Sequence, residues 1–425
     1  MSYTAEIISV GTELLLGNVA NTDARDISQI LSELGINVYF HTVVGDNPER
    51  LISAVNIAKK RADIIITTGG LGPTCDDLTK QTLASCFGRE LVFDEAEAEE
   101  IRSYFSKHLH STQITENVFQ QALLPKDCTV FRNMCGTAPG CAFCENGVHV
   151  LMLPGPPREC LSMFKNCAVP YLKALSDSEI RSHNIHIFGM GESAVEDKLR
   201  PMMLAMENPT LAPYAKDGEV MLRLTAKAKT AEEAEELMAP ALNKVRDILG
   251  PFIYGIDTGT LEGTVVGLLT KGKKKLSVAE SCTGGLLAKR LTDISGVSAV
   301  FSGGVITYSS RSKTELLGVD PSLIGEKGAV CAPVAIQMAK GVREKLCTDL
   351  GIGITGIAGP LSDESGAEVG LVYVAMACSK GIYCRTLHLG TDRTRIRTTA
   401  ANHALDMLRR HLTDLPIETD AVAKQ

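Results

Sequence analysis

The sequence predicts an α/β protein in three parts: a doubly wound sheet over residues 1–172, a small α+β module over 173–255 and a second α/β domain over 256–415, followed by a tail, 416–425. Three observations carry that reading. Apolar runs of strand length alternate with amphipathic helical patterns near both ends of the chain, which implies mainly parallel sheets covered on both faces. Several of those runs end in glycine-rich turns, the place where such sheets bind ligands. A chain of 425 residues also exceeds one ordinary core, at roughly 100–200 residues per domain.

The net charge of −7 argues against a phosphate-tracking surface, so direct nucleic-acid binding is not expected. No apolar run approaches the roughly 20 residues that span a bilayer, and Met1 to Val10 lacks a basic stretch followed by an apolar one, so a cytoplasmic protein is expected. Thirteen cysteines, an odd number, point to reduced thiols. Cys141-Ala142-Phe143-Cys144 has the spacing of half a zinc knuckle, but alternation makes it a strand. Asn146-Gly147 then turns it into a second strand, Val148 to Leu153, so core cysteines are expected here.

In the first part, Glu6 to Val10 reads as a buried strand ending in Gly11-Thr12-Glu13. Asn21-Thr22 caps a helix that stops at Gly35. Strand Val38 to Val44, a helix opened by Asn47-Pro48 and strand Ile64 to Thr68 follow. The strand ends gather Glu13, Asp46 and the run Gly69-Gly70-Leu71-Gly72-Pro73-Thr74-Cys75-Asp76-Asp77. A glycine-rich turn wraps phosphates with backbone N–H groups while adjacent carboxylates hold a divalent cation against them. The plainer alternative is that Asp76 and Asp77 cap the helix starting near Leu78-Thr79.

The middle part offers strand Ile185 to Phe188, a helix after Gly191-Glu192-Ser193, strand Glu219 to Lys227 and helix Ala231 to Leu249. It carries no strong catalytic signal. His186 reads as a core or interface histidine, and Lys216 and Asp217 as turn surface. A spacer or dimerisation element, and hence a homodimer, is expected.

In the last part, Thr260 opens an amphipathic helix, and the basic run Lys271 to Lys275 reads as its solvated end. Strand Leu276 to Val278 leads through Ala279-Glu280-Ser281-Cys282-Thr283-Gly284-Gly285 into helix Leu286 to Thr292. That turn sets a hydroxyl and several backbone N–H groups at one exposed point. Strand Phe301 to Tyr308, a helical segment bearing Lys313, and strand Ile352 to Pro360 with Thr355-Gly356 complete the set of strand ends.

These motifs, in this order, resemble the CinA family. Ser9 to Leu14, Gly69 to Thr74, Asp76-Asp77, Gly136-Thr137-Ala138-Pro139-Gly140 and Leu153-Pro154-Gly155 are similar to its N-terminal molybdopterin-binding-like domain. Ala279 to Gly285, Val305 to Ser309, Lys313 and Thr355 to Pro360 are similar to its C-terminal amidase domain. Cys141 departs from the bulky apolar residue expected after Pro139-Gly140. The resemblance implies a metal-dependent ADP-ribose pyrophosphatase in front, with Asp76 and Asp77 on the cation, Asp46 and Glu13 as further candidates, and Gly69, Gly70, Gly72 and Thr74 around the phosphates. More distant members of the fold bind pterins.

Behind, it implies deamidation of nicotinamide mononucleotide to nicotinic acid mononucleotide and ammonia, with no cofactor. Ser281 is then the nucleophile, and Lys313 its base, acting directly or through Ser298. Tyr308 holds the carboxamide, and N–H groups near Thr283, Gly284 and Gly285 form the oxyanion site. Thr355, Gly356, Arg393 and Arg397 are candidates for the nucleotide phosphate, Arg393 and Arg397 lying one helical turn apart. The family's run before the first arginine is one residue shorter. The alternative is a non-catalytic nucleotide- or pterin-binding protein linked to competence or DNA damage.

Overall fold

The computed structural model describes residues 3–108, 114–175, 179–216, 218–362, 366–419 and 421–423. It divides into two compact units, Met1–Arg181 with Ala226–Glu236, and Ser182–Thr225 with Leu237–Gln425.

In the first unit, β1 (Thr4–Val10), β2 (Asn37–Val44) and β3 (Ile64–Thr68) run parallel. A separate ribbon pairs β4 (Leu91–Phe93) with β5 (Leu123–Pro125). Then β6 (Thr129–Phe131), β7 (Gly140–Glu145) and β8 (Val148–Leu153) extend the main sheet to the order β2-β1-β3-β8-β7-β6. β8 is parallel to β3, whereas β7 returns antiparallel through Asn146 and Gly147, at φ 52° and 80°. Positive φ at both central residues is what a two-residue hairpin needs. The sheet is therefore parallel over four strands and mixed at its far edge.

Burial follows the period of two. Ile7, Ile64 and Ile66 pack with Ile27 and Leu31 of the helix Thr22–Glu33, while Ile8 and Ile65 pack with Val55 and Leu83 of the helices Pro48–Ala58 and Thr79–Cys86. Helices thus reach the carboxyl ends of β1 and β3 from opposite faces, leaving a crevice between them.

The middle module forms the sheet β10-β11-β9-β12, from β9 (Glu179–Ile187), β10 (Thr210–Lys216), β11 (Glu219–Ala228) and β12 (Ile253–Ile256). β10 was not expected: Lys216 ends a strand antiparallel to β11, and Gly218 turns at φ 76°. Asp217, expected as turn surface, lies outside the described residues. Phe188 and Tyr254 join the C-terminal core, and His186 is buried in a stack on Tyr254.

The C-terminal sheet has the order β14-β13-β15-β16-β17-β18, from β13 (Leu276–Glu280), β14 (Phe301–Ile306), β15 (Leu350–Gly356), β16 (Leu371–Cys378), β17 (Gly381–His388) and β18 (Ala421–Ala423). β13, β14 and β15 are parallel. The expected tail is corrected in part, because residues 421–423 pair with β17.

β15 alternates isoleucine and glycine for a packing reason. Ile352 and Ile354 enter the main core, whereas a Cβ on Gly353 would stand 2.4 Å from the Ala335 carbonyl oxygen and 2.6 Å from the Ala339 nitrogen. The helix Ala332–Lys345 therefore lies directly on the strand backbone. Gly353→Ala is expected to destabilise the protein by roughly 1–3 kcal/mol through overpacking; an unchanged midpoint in urea unfolding would contradict this contact.

Candidate functional site

A cleft of about 640 Å³ opens at the carboxyl ends of β1, β3 and β8. Its loop depends on missing side chains. A Cβ on Gly69, at φ 95°, would lie 2.1 Å from the Val10 carbonyl oxygen, and one on Gly70, at φ 68°, 2.1 Å from Thr79 Oγ1. Thr79 pins the loop by donating Oγ1 to the Gly69 carbonyl at 2.9 Å and N–H to the Gly70 carbonyl at 3.1 Å.

Glu13, Asp46, Asp76, Asp77, Gly69, Gly70 and Gly72 all line this cleft. Asp77 folds back over Gly72 to accept from the N–H and Oγ1 of Thr74, at 2.9 and 2.5 Å. Asp46 braces the neighbouring turn in the same way, accepting from the N–H and Oγ1 of Thr12 at 2.9 and 2.8 Å. Neither Asp76 nor Asp77 caps the following helix, whose N-cap is Leu78. Asp76 is exposed, and hydrogen bonding from Thr74 holds its carboxyl below the usual range.

Among the described residues, no three His, Cys, Asp or Glu side chains converge to hold a metal by themselves. The cleft still fits a magnesium-type cation, which takes one or two carboxylates together with water and substrate phosphates. Asp76, exposed at the cleft, and Glu13 beside it are the carboxylates that do not brace a turn as Asp46 and Asp77 do. Cys141 is buried in β7 against the thiol of Cys128, and Cys144 is exposed.

Three further cleft residues, Asp23, Glu159 and Gln121, escaped the sequence reading. Burial, assisted by Asp26, raises the Asp23 carboxyl to about 6 against the pull of the Cys160 thiol. Glu159 accepts from Asn133 Nδ2 at 2.7 Å. Asp23 looks in sequence like an ordinary first-turn acid, and Gln121 sits in a 3-10 turn, Glu116–Ala122, that lacks helical or strand periodicity.

In the C-terminal domain the turn after β13 extends the sheet's hydrogen bonding, with Ser281 N–H on the Ile354 carbonyl at 3.0 Å and Thr307 N–H on the Glu280 carbonyl at 2.8 Å. Lys313 enters from the helix Ser310–Leu317. Its side chain is 2% exposed and donates from Nζ to Ser281 Oγ at 3.0 Å and to the Thr307 carbonyl at 2.8 Å. It takes part in none of the ion pairs among the described residues, and burial lowers its pKa to about 8.

Glu280, which no sequence motif marks as more than part of the turn, organises this candidate site. Its buried carboxylate accepts from the N–H groups of Gly285, Leu287 and Ala288 at 3.0, 3.1 and 2.8 Å, and so fixes the turn on the start of the helix Leu286–Thr292. Gly284, at φ 60°, gives its N–H to the Ser281 carbonyl. Of the N–H groups expected to form an oxyanion site, those of Gly284 and Gly285 are thus committed within the turn, and those of Cys282 and Thr283 lie against the Cys282 thiol.

Arg397 reaches the same turn, donating Nε and Nη2 to the Thr283 carbonyl at 3.2 and 2.7 Å, and Arg393 donates to the Gly359 carbonyl at 2.5 Å. Thr355 is buried and donates to the Ala329 carbonyl at 2.9 Å; Gly356 follows it at the end of β15. Tyr308 is 65% exposed beyond the end of β14.

Ser298 is not brought to this site. It lies exposed in the 3-10 turn Val297–Ala299 that precedes β14, and the parallel register pairs Phe301 with Leu276, so Ser298 belongs to the amino ends of the strands, away from Ser281. A relay through it is replaced by direct contact between Lys313 and Ser281.

Family models match three successive segments: a probable molybdopterin binding domain over residues 6–174, a damage-inducible protein CinA KH domain over 182–255 and a CinA C-terminal domain over 258–412. A putative competence-damage inducible protein of Thermoanaerobacter sp. (strain X514) is 47% identical, over 97% of this chain and 99% of its own. A CinA-like protein of Kosmotoga olearia is 45% identical over the same shares. A crystal structure of CinA from Thermoplasma acidophilum is 32% identical over 40% of this chain and 98% of that one, with a TM-score of 0.37. With relatives of this identity over nearly the whole length, the chain belongs to the CinA family.

Proposed function

We propose that the C-terminal domain hydrolyses the carboxamide of nicotinamide mononucleotide, with Ser281 as nucleophile and Lys313 as its base. The observation that supports this reading is a buried amine, outside any ion pair among the described residues, 3.0 Å from a strand-end hydroxyl. Lysine serves as a base when burial lowers its pKa. At a pKa of about 8, roughly one-tenth of the amine is neutral at pH 7.

The neutral amine takes the Oγ proton as Ser281 attacks the carboxamide carbon, and the amides of Cys282 and Thr283 receive the oxyanion. The ammonium then returns the proton to the departing nitrogen, releasing ammonia and leaving an ester on Ser281. Water, deprotonated by the same amine, cleaves that ester to nicotinic acid mononucleotide and free serine. Arg393 and Arg397 offer their remaining guanidinium N–H groups to the phosphate. Tyr308 stands at the rim to donate to the bound carboxamide.

We further propose that the N-terminal domain is a metal-dependent ADP-ribose pyrophosphatase, a reading supported by the glycine loop and the carboxylates that line its cleft. The amides of Gly70 to Gly72 would meet the diphosphate, that of Gly69 being held by the Leu153 carbonyl, and Asp76 with Glu13 would hold the cation, while Asp46 and Asp77 keep their turns in place. The cation supplies charge neutralisation and polarises the diphosphate toward water.

Ser281→Ala is expected to lower ammonia release from nicotinamide mononucleotide at least 1000-fold; wild-type protein that releases none would refute the amidase. In wild type, kcat/KM should rise with pH through about 8 and level off above it, because the neutral amine is the active form. A profile flat from pH 6 to 9.5 is the contrary result.

The same lowered pKa destabilises the fold below pH 8, and the cost is relieved as pH rises from 8 toward 10.5. It amounts to about 3 kcal/mol at neutral pH. Lys313→Met should therefore abolish ammonia release while melting at or above the wild-type temperature. For the front domain, Asp76→Ala should reduce cation-dependent ADP-ribose turnover about 100-fold, followed by release of phosphate monoesters. Binding of nucleotide by wild type without turnover at either site would favour the non-catalytic alternative.

A further inference from the structure

The N-terminal cleft contains an acceptor that the protein itself leaves unused. Gln121 lines the cleft and is 2% exposed, and its Oε1 is buried without a hydrogen-bond partner. Leaving such a group unsatisfied costs free energy, so a buried orphan acceptor at a ligand cleft calls for an explanation.

The backbone around it is held firmly. Lys80 Nζ donates to the carbonyl of Gln121 at 2.5 Å, the N–H of Asp94 donates to the carbonyl of Ala122 at 2.9 Å, and Asn117 Nδ2 donates to the carbonyl of Pro73 in the glycine loop at 3.2 Å. The 3-10 turn that carries Gln121 is thus tied to the glycine loop of the same cleft. Only the terminal amide torsion is soft, and its broad two-fold profile lets the oxygen turn to a ligand at little cost.

A diphosphate offers no donors of its own. The neutral donors nearest to it in a nucleotide are ribose hydroxyls. We infer that Gln121 is a specificity-determining residue of this cleft, its side-chain carbonyl accepting a hydrogen bond from a ribose hydroxyl of a diphosphate-linked nucleotide seated on the glycine loop. The inference rests on the pyrophosphatase reading and deepens it. It explains how one cleft distinguishes a nucleotide diphosphate from a bare one, because a site built to pair with a hydroxyl rejects ligands that lack it.

The test measures calorimetric Kd values of the full chain, with Mg²⁺ present, for ADP-ribose and for methyl diphosphate, which carries no ribose. Gln121→Met keeps the length of the side chain and removes the acceptor. It should weaken ADP-ribose binding about tenfold, raise the KM for ADP-ribose similarly, leave kcat within twofold and leave methyl diphosphate binding unchanged. Should the methionine variant fail to fold, wild type decides the matter: among ADP-ribose analogues that each lack one ribose hydroxyl, one should bind about tenfold more weakly than ADP-ribose, and equal affinity of all of them overturns the inference. Equal weakening of both ligands by Gln121→Met, or of neither, overturns the inference and leaves the pyrophosphatase intact. A wild type that neither binds nor turns over ADP-ribose removes both.

Discussion

Both candidate sites depend on backbones that approach too closely to admit a side chain. At Gly69 the next atom is the Val10 carbonyl oxygen, 2.1 Å from where a Cβ would stand, and this contact lets the ends of β1 and β3 form one cleft floor. In the C-terminal domain Gly351 and Gly353 let the helix Ala332–Lys345 settle on β15, with Cβ positions 2.3 and 2.4 Å from the carbonyl oxygens of Ala339 and Ala335. The segment just before that helix then brings the Ala329 carbonyl to Thr355. Close packing of this kind sets the positions of the groups that line both candidate sites.

Charge is distributed by the same logic. Each unit buries a lysine whose Nζ donates to backbone carbonyls: Lys80 behind the glycine loop and Lys313 behind Ser281. Burial lowers both to about 8. Such groups oppose folding, and both stand beside a candidate site, the glycine loop and the Ser281 turn. Glu280 is the counterpart: its carboxylate is buried, but three backbone N–H groups satisfy it.

Asp406 shows what a purely structural buried charge looks like. Burial works to raise its carboxyl, and the guanidiniums of Arg409, Arg385 and Arg410 outweigh it and hold the carboxyl below the usual range. The same arginines also donate to the carbonyls of Pro251, Glu418 and Pro416, so one carboxylate ties the end of the middle module and the last residues of the chain to the C-terminal core. Every charge in this cluster has a partner, in contrast to Lys313, and it contains no group poised for transfer.

Much of the fold is legible from short stretches because its causes are local. The Asn21 and Asn47 caps, β3 over Ile64–Thr68, the Asn146-Gly147 hairpin and the helix Leu286–Thr292 follow from side-chain period, capping hydroxyl or amide groups, and residues that tolerate positive φ. The meeting of Lys313 with Ser281 is different. It joins residues 32 apart through a strand, an intervening helix and a helix cap, and the same tertiary path excludes Ser298 by placing it at the other end of the sheet. Likewise β10 and β18 exist because a partner strand supplies their hydrogen bonds, and Gln121 enters the cleft because Lys80 and Asn117 tie its turn to the glycine loop. By itself the sequence determined the element types, the glycine turns and the chemical identity of the groups, since these depend on neighbours within a few residues. Which hydroxyl meets which amine and which acceptor is left without a partner were decided only by tertiary structure, because they depend on contacts between segments that chain order alone does not bring together.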